Sequence, residues 1–401
     1  MKRRNFNLIK TGRKNKLALA VGLALAMSAM GSVYASGNDD TFKNFANGEK
    51  LLQTAANWRT YREFLNSTGL QAIGADKAYA LGYSGDGVTL GIVDTGVRTD
   101  HEEFEGKVDL VNEIVNDWTD KETWHGSHVA GIMVAKKSIG GFGEKNRNMM
   151  GVAFNANLKS IDYGLKKNKR IGLTKKYIST LSKDVKIINN SWNPETGGDS
   201  FIDFAKNDIK NNDRVYVFSA GNDGNIDVSR KMTGKFANDV NIKSNFINVV
   251  NIDDMNNVSI TSNIAKGAHE NTVCAVGTNV NSVSANSLSD YTDMSGTSMA
   301  APYVSGTLGL VQGANPYLSG KQLVDVVLTT ANKNFEHPKF AITLKNHEED
   351  DVKIIDGINL ICIDYNDKIN DISNYLNQYF SKSSDEYLEN LLETNLVYES
   401  K

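Results

Sequence analysis

From Gly82 onward two hydrophobic patterns alternate along the chain. One is a short, nearly continuous apolar run. The other is a longer stretch with apolar residues at helical spacing. "GVTLGIVDTG" (residues 87–96) is an apolar run ending in Asp-Thr-Gly, as a buried parallel strand would. "NLKSIDYG" (157–164) and "FINVVNID" (246–253) repeat that pattern. "TKKYISTLSKDVKIINNSW" (174–192) and "SFIDFAKNDIKNNDRVYVFSAGN" (200–222) each predict a helix followed by a strand. "HGSHVAGIMVA" (125–135) predicts a helix with small residues on its packing face. "SMAAPYVSGTLGLVQGAN" (298–315) is apolar nearly all round, which predicts a buried helix. "SGKQLVDVVLTTA" (319–331) predicts a last helix with Ser319 as N-cap. Strands alternating with helices imply an α/β fold, a mostly parallel central sheet with helices on both faces. In such sheets functional groups gather beyond the carboxyl ends of the strands. Asp94, Ser191 and Asn222 all stand at the ends of apolar runs.

Residues 1–35 read as an address. Seven basic residues precede or border the run "LALAVGLALAM" (17–27), and Val33 and Ala35 fit cleavage after Ala35. The run is short for a bilayer span. Losing residues 1–35 takes the formal charge from −3 to −10, which argues against nucleic acid as a partner. Contact with the membrane is then expected only in passing, through the leader. A polar segment, 36–67, follows, with a short helix expected around residues 50–65. The basic cluster from Lys166 to Lys176 reads as a solvated surface loop. Cys274 and Cys362 are the only cysteines, so there is no disulfide framework, and their pairing stays open. There is no Cys-x-x-Cys and no His-Glu-x-x-His, so a transition-metal mechanism has no support in the sequence.

Three motifs carry chemistry, in the order Asp, His, Ser: "VDTG" with Asp94, "HGSHVAG" with His125 and "GTSMAAP" with Ser298. An α/β-hydrolase would need Gly-x-Ser-x-Gly and the order Ser, Asp, His, and has neither here. From about residue 68 to 335 the chain resembles the subtilisin-like serine peptidases. "AYALGYSGDGVTLGIVDTGV" and "NNSW" are similar to the exported bacterial branch related to serine-peptidase autotransporters. The resemblance implies a secreted serine endopeptidase acting on proteins or peptides and needing no cofactor. In that chemistry Ser298 is the nucleophile, His125 its general base and Asp94 the carboxylate that orients the imidazole. His128, one turn on, is expected to be structural.

The resemblance also supplies Asn222, in "SAGNDG", as a side-chain donor to the oxyanion, beside the backbone N–H of Ser298. It implies that an extended peptide pairs with Ser191, Trp192 and Asn193, while Ser219, Ala220 and Gly221 form the other pocket wall. Ser298 at a helix start gains the positive end of the helix dipole, and Pro302 is expected within the first turn. Met299 beside the nucleophile is a target for oxidation. Three departures touch pocket shape and loops: Asn193 where the family often has Gly, and Phe154 and Val276 where Pro is common. Glu103, in "HEEF", falls near where relatives place a calcium ligand, and no metal is assigned to it.

The expected division is then a signal peptide (1–35), an N-terminal segment (36–67), a subtilisin-like peptidase domain (68–335) and a C-terminal extension of unknown role (336–401). The 71 residues from 331 hold 14 acidic and 7 basic side chains and no series of alternating ten-residue segments, so no outer-membrane barrel is expected within them. Oligomeric state is not legible. A second reading is an inactive relative that only binds peptides. Such a protein would be expected to have lost a member of the triad, and all three are in place.

Overall fold

The computed structural model describes residues 54–112, 117–137, 148–163, 170–192, 198–224, 232–265, 268–331 and 361–362. The expected signal peptide, the stretch 164–169 and nearly all of the C-terminal extension lie outside them.

Strand β1 (Thr89–Asp94) is the interior strand from which the sheet grows in both directions. It pairs in parallel with β3 (Asn157–Asp162) on one side and β4 (Ile187–Asn190) on the other. Beyond β3 lies the short edge strand β2 (Val108–Leu110). Beyond β4 come β5 (Val215–Ser219), β6 (Phe246–Ile252), β7 (Thr272–Val276) and β10 (Ile361–Cys362), which makes eight parallel strands among the described residues. The direction of strand addition reverses at β1, so a crevice opens beyond its carboxyl end, where Asp94 sits. Every residue of β4 to β7 is buried, which explains the unbroken apolar runs.

The crossovers are helices: α4 (His125–Val134), α5 (Arg170–Ile178), α6 (Gly198–Asn212) and α7 (Met232–Asn238). Helix α8 (Thr297–Ala314) runs over β4 to β7 and packs on α4. Fifteen of its residues are buried, as its all-round hydrophobicity predicts. α9 (Gly320–Thr330) starts with the expected Ser319 cap, and Gln322 completes a capping box.

Two parts go beyond the sequence reading. The first is an antiparallel hairpin, β8 (Val280–Ser284) with β9 (Asp290–Met294), which leads the chain into α8. The second is the extent of an N-terminal arm: where one short helix was expected around 50–65, residues 54–58 are helical and three further short helices follow, α1 (Arg62–Asn66), α2 (Thr68–Ala72) and α3 (Ala75–Ala80). Phe64, Leu70, Ile73 and Tyr79 of this arm are buried in the same core as the strands. Asn66 Nδ2 donates to Asn148 O (2.7 Å), Met150 N to Ser67 Oγ (3.1 Å), Tyr79 Oη to Val152 O (2.7 Å) and Gly69 N to Tyr303 Oη (3.2 Å). Phe154, where relatives often have Pro, packs against Trp58 and Tyr79. An aromatic residue there gives the arm a partner. Cys274 on β7 is disulfide-bonded.

Candidate active site

Asp94 ends β1 with its carboxylate buried. Its Oδ1 lies 2.6 Å from His125 Nδ1 and accepts from Thr95 N at 2.8 Å. A carboxylate only accepts, so Nδ1 carries the proton and Nε2 of a neutral imidazole is left as the basic nitrogen. His125 opens α4 and its side chain is 27% exposed, so the ring faces the crevice while its orienting partner stays dry. The entry is fixed by a 3₁₀ turn (Lys121–Trp124) capped by Asp120, and by Gly126 N donating to Thr95 Oγ1 at 3.0 Å.

Ser298 is the second residue of α8 and is half-buried. Its Oγ donates to Ser191 O at 3.0 Å, and Ser191 Oγ donates to Ser298 O at 2.7 Å. Pro302 explains the second bond. It is the sixth residue of α8, in the second turn and not the first as expected. An ordinary residue there would donate its N–H to Ser298 O within the helix. Proline has no N–H, so that carbonyl is free, and Ser191 satisfies it. Ser191 is fixed in turn by Asn189 Nδ2 (3.0 Å), and Asn189 Oδ1 accepts from Ser305 Oγ (2.8 Å). The pocket strand is thereby tied to the helix that carries the serine.

Asn222 follows β5, exposed at the crevice. Its Oδ1 accepts from Thr297 N (2.9 Å) and Thr297 Oγ1 (3.0 Å), which turns Nδ2 away from that anchor as a donor. Thr297 Oγ1 also accepts from Gly221 N at 3.1 Å. A Cβ at Gly296 would stand 3.2 Å from Asn222 Nδ2, so the glycine keeps the space between the amide and the serine turn clear. Thr297 is invisible to motif reading, because the motif makes it merely the residue before the serine. Of the expected pocket residues, Ser191, Ser219, Ala220 and Trp192 are buried and Gly221 is partly so. Trp192, 7% exposed, packs edge-on against Tyr163, Phe201 and Phe218, so much of its ring is core. Asn193 lies outside the described residues.

His128 is wholly buried, with Nε2 3.1 Å from both Val280 O and Thr292 O. It clips α4 to the β8–β9 hairpin. Burial pushes its pKa down to about 3, with the nearby His125 adding to the effect. Glu103 is buried too, and burial pushes its carboxyl up to about 8, against the lowering effect of Tyr291 Oη, which donates to Oε1 at 2.5 Å. Its Oε2 has no hydrogen-bond partner, and no group of three His, Cys, Asp or Glu side chains among the described residues could hold a metal ion.

A solved structure of a cold-adapted subtilisin-like serine proteinase superposes with a TM-score of 0.50 at 23% identity, over 64% of this chain and 86% of that one, a likeness of fold. An extracellular serine protease of Serratia marcescens is 27% identical over 351 residues, 68% of this chain. The chain spans only about a third of that protein's length, 32%. Subtilisin DY of Bacillus licheniformis is 26% identical over 66% of this chain and 90% of its own length. The model of the subtilase family matches residues 85–347, a span that takes in Asp94, His125, Asn222 and Ser298. By that match, across well over half its length, the chain belongs to the subtilase family.

Proposed function

We propose that this chain is a secreted serine endopeptidase. The observation that carries the reading is the 2.6 Å pair between buried Asp94 and His125, set at the sheet's switch point on a helix packed against the one that begins at Ser298. In the resting geometry the serine hydroxyl bonds to Ser191 O. For catalysis it turns to His125 Nε2, which takes its proton as Oγ attacks the scissile carbonyl. The carbonyl π pair moves onto oxygen. That oxyanion is met by Asn222 Nδ2 and by the Ser298 N–H at the positive end of α8. The intermediate collapses to an acyl-enzyme as the protonated imidazole gives its proton to the leaving amine. Water, deprotonated by His125, then releases the acid. Asp94 stabilises the imidazolium throughout.

Ser191, Trp192 and Asn193 form one wall for an extended peptide, and Ser219, Ala220 and Gly221 the other. Residues 1–35 direct export, 68–335 carry the chemistry, and 36–67 and 336–401 flank it. Export is supported by the basic-then-apolar leader and by the naming of the Serratia relatives as extracellular. The test is a peptide-library digest with wild type and Ser298→Ala, together with fluorophosphonate labelling. Wild type cleaves and takes the label at Ser298, and the alanine variant does neither. Equal cleavage by the two would refute the nucleophile, and a folded wild type that refuses the label would point to a peptide binder.

A further inference from the structure

Asn222 sits on a backbone that sterics alone do not fix. Gly221 before it has φ of +101°, and Gly224 two residues later has φ of +73°. Glycine in that region is permissive, so its position is set by what holds it from outside. Thr297 Oγ1 accepts from Gly221 N at 3.1 Å and Thr261 O from Gly224 N at 3.0 Å, but most of the hold comes from Asn263, on the loop that follows β6. It is completely buried. Its backbone N–H donates to Gly221 O at 2.9 Å. Its Nδ2 donates to Ala220 O at 3.0 Å and to Asp223 Oδ2 at 2.8 Å, and its Oδ1 accepts from Asp223 N at 3.1 Å. Four hydrogen bonds from one asparagine therefore grip the residues on both sides of Asn222. The fit is close, because a Cβ at Gly221 would stand 2.4 Å from Asn263 Nδ2. Thr297 holds the Asn222 amide from the other direction. The side chain of this donor is thus anchored by the serine turn, and its backbone chiefly by the loop after β6.

We propose that Asn263 is a positioning residue for catalysis, which holds the segment Ala220 to Asp223 so that Asn222 Nδ2 meets the oxyanion as it forms. The proposal rests on the peptidase reading of the site. Oxyanion donors act through preorganisation, and small displacements forfeit much of their effect. Asn263→Ala should lower kcat about 10- to 100-fold and leave KM within about twofold, because the contact matters at the transition state. A peptide aldehyde, which mimics the tetrahedral oxyanion, should lose affinity by a similar factor. The discriminating measurement is the double variant. With Asn222→Ala already present, Asn263→Ala should lower kcat no further, since the donor it positions is gone.

Asp223→Ala keeps the assay usable if Asn263→Ala does not fold. Asp223 is exposed, and the change removes the 2.8 Å bond to Asn263 Nδ2 while leaving the bond from Asp223 N to Asn263 Oδ1. It should cost kcat about 3- to 10-fold in wild type and nothing in Asn222→Ala. A kcat within twofold of wild type in a folded Asn263→Ala or Asp223→Ala variant would overturn the proposal. So would an equal loss with and without Asn222, which is what general loosening of the fold gives. If Ser298→Ala digests peptides as well as wild type does, the peptidase reading fails first and the proposal falls with it. A failure of the clamp alone leaves Ser298 and Asn222 essential and Asn263 dispensable.

Discussion

Neighbours in the sequence have divided the work at the serine turn. Thr297 orients the Asn222 amide, Ser298 presents its hydroxyl, and Met299 turns into the core, 2% exposed. Peroxide should slow turnover by converting Met299 to its sulfoxide, a polar group in a dry space beside the nucleophile. Peptide mapping by mass spectrometry alongside activity checks this, and full oxidation with unchanged turnover would dismiss it. The proposed reacting groups, Asp94, His125 and Ser298, stand out in the sequence, since the chemistry calls for an acid, a base and a nucleophile with small residues beside them. Thr297, Asn189 and Asn263 were not readable. Their value lies in which backbone atoms they reach, and a lone Asn or Thr on a strand end carries no mark of that. Pro302 was misplaced by one turn for the same reason, because the start of α8 is set by its contacts.

At the scale of elements, α4 and the β8–β9 hairpin form one assembly through His128. Its pKa is depressed to about 3 from the usual 6.5, so the folded state refuses a proton that the unfolded state accepts. The stabilisation is whole above pH 6.5 and is lost as pH falls from 6.5 toward 3, by at most about 1.4 kcal/mol per pH unit. The stability advantage of wild type over His128→Gln, from urea unfolding, should therefore shrink with acidification, and a gap that stays constant would count against the clip. Glu103 works in the opposite sense. Its carboxyl is neutral in the fold up to about pH 8, while the unfolded chain ionises above about 4.5. Its contribution is present below 4.5 and lost as pH rises through 8. Glu103→Gln should gain melting temperature over wild type between pH 5 and pH 8, and parallel curves would argue otherwise. The hairpin escaped sequence reading because its buried positions include Asn281, Ser282 and Ser284, polar residues that mask the strand pattern. Ser282 Oγ donates to His128 O at 2.8 Å, so the hairpin's polarity serves the same junction.

For the molecule as a whole, the parallel sheet was legible because its middle strands are mostly apolar and buried on both faces. The N-terminal arm was legible only as one short helix near residues 50–65, since its helices are five or six residues long and too short for periodicity to speak. Yet Gly69 lies against the Tyr303 ring, where an added Cβ would stand 2.3 Å away. Gly69→Ala should cost about 1–3 kcal/mol of stability, read from chemical denaturation, through overpacking at that seam. An unchanged unfolding midpoint would mean the arm is not seated there. The Gly69–Tyr303 bond joins residues 234 apart. A polypeptide appears amino end first, so the arm is made long before its berth exists and waits unfolded until α8 has been synthesised. The nucleophile sits on that same late helix. On the proposed chemistry, the arm's seat and the reactive serine are therefore completed by one late element, and a nascent chain halted before α8 would have neither.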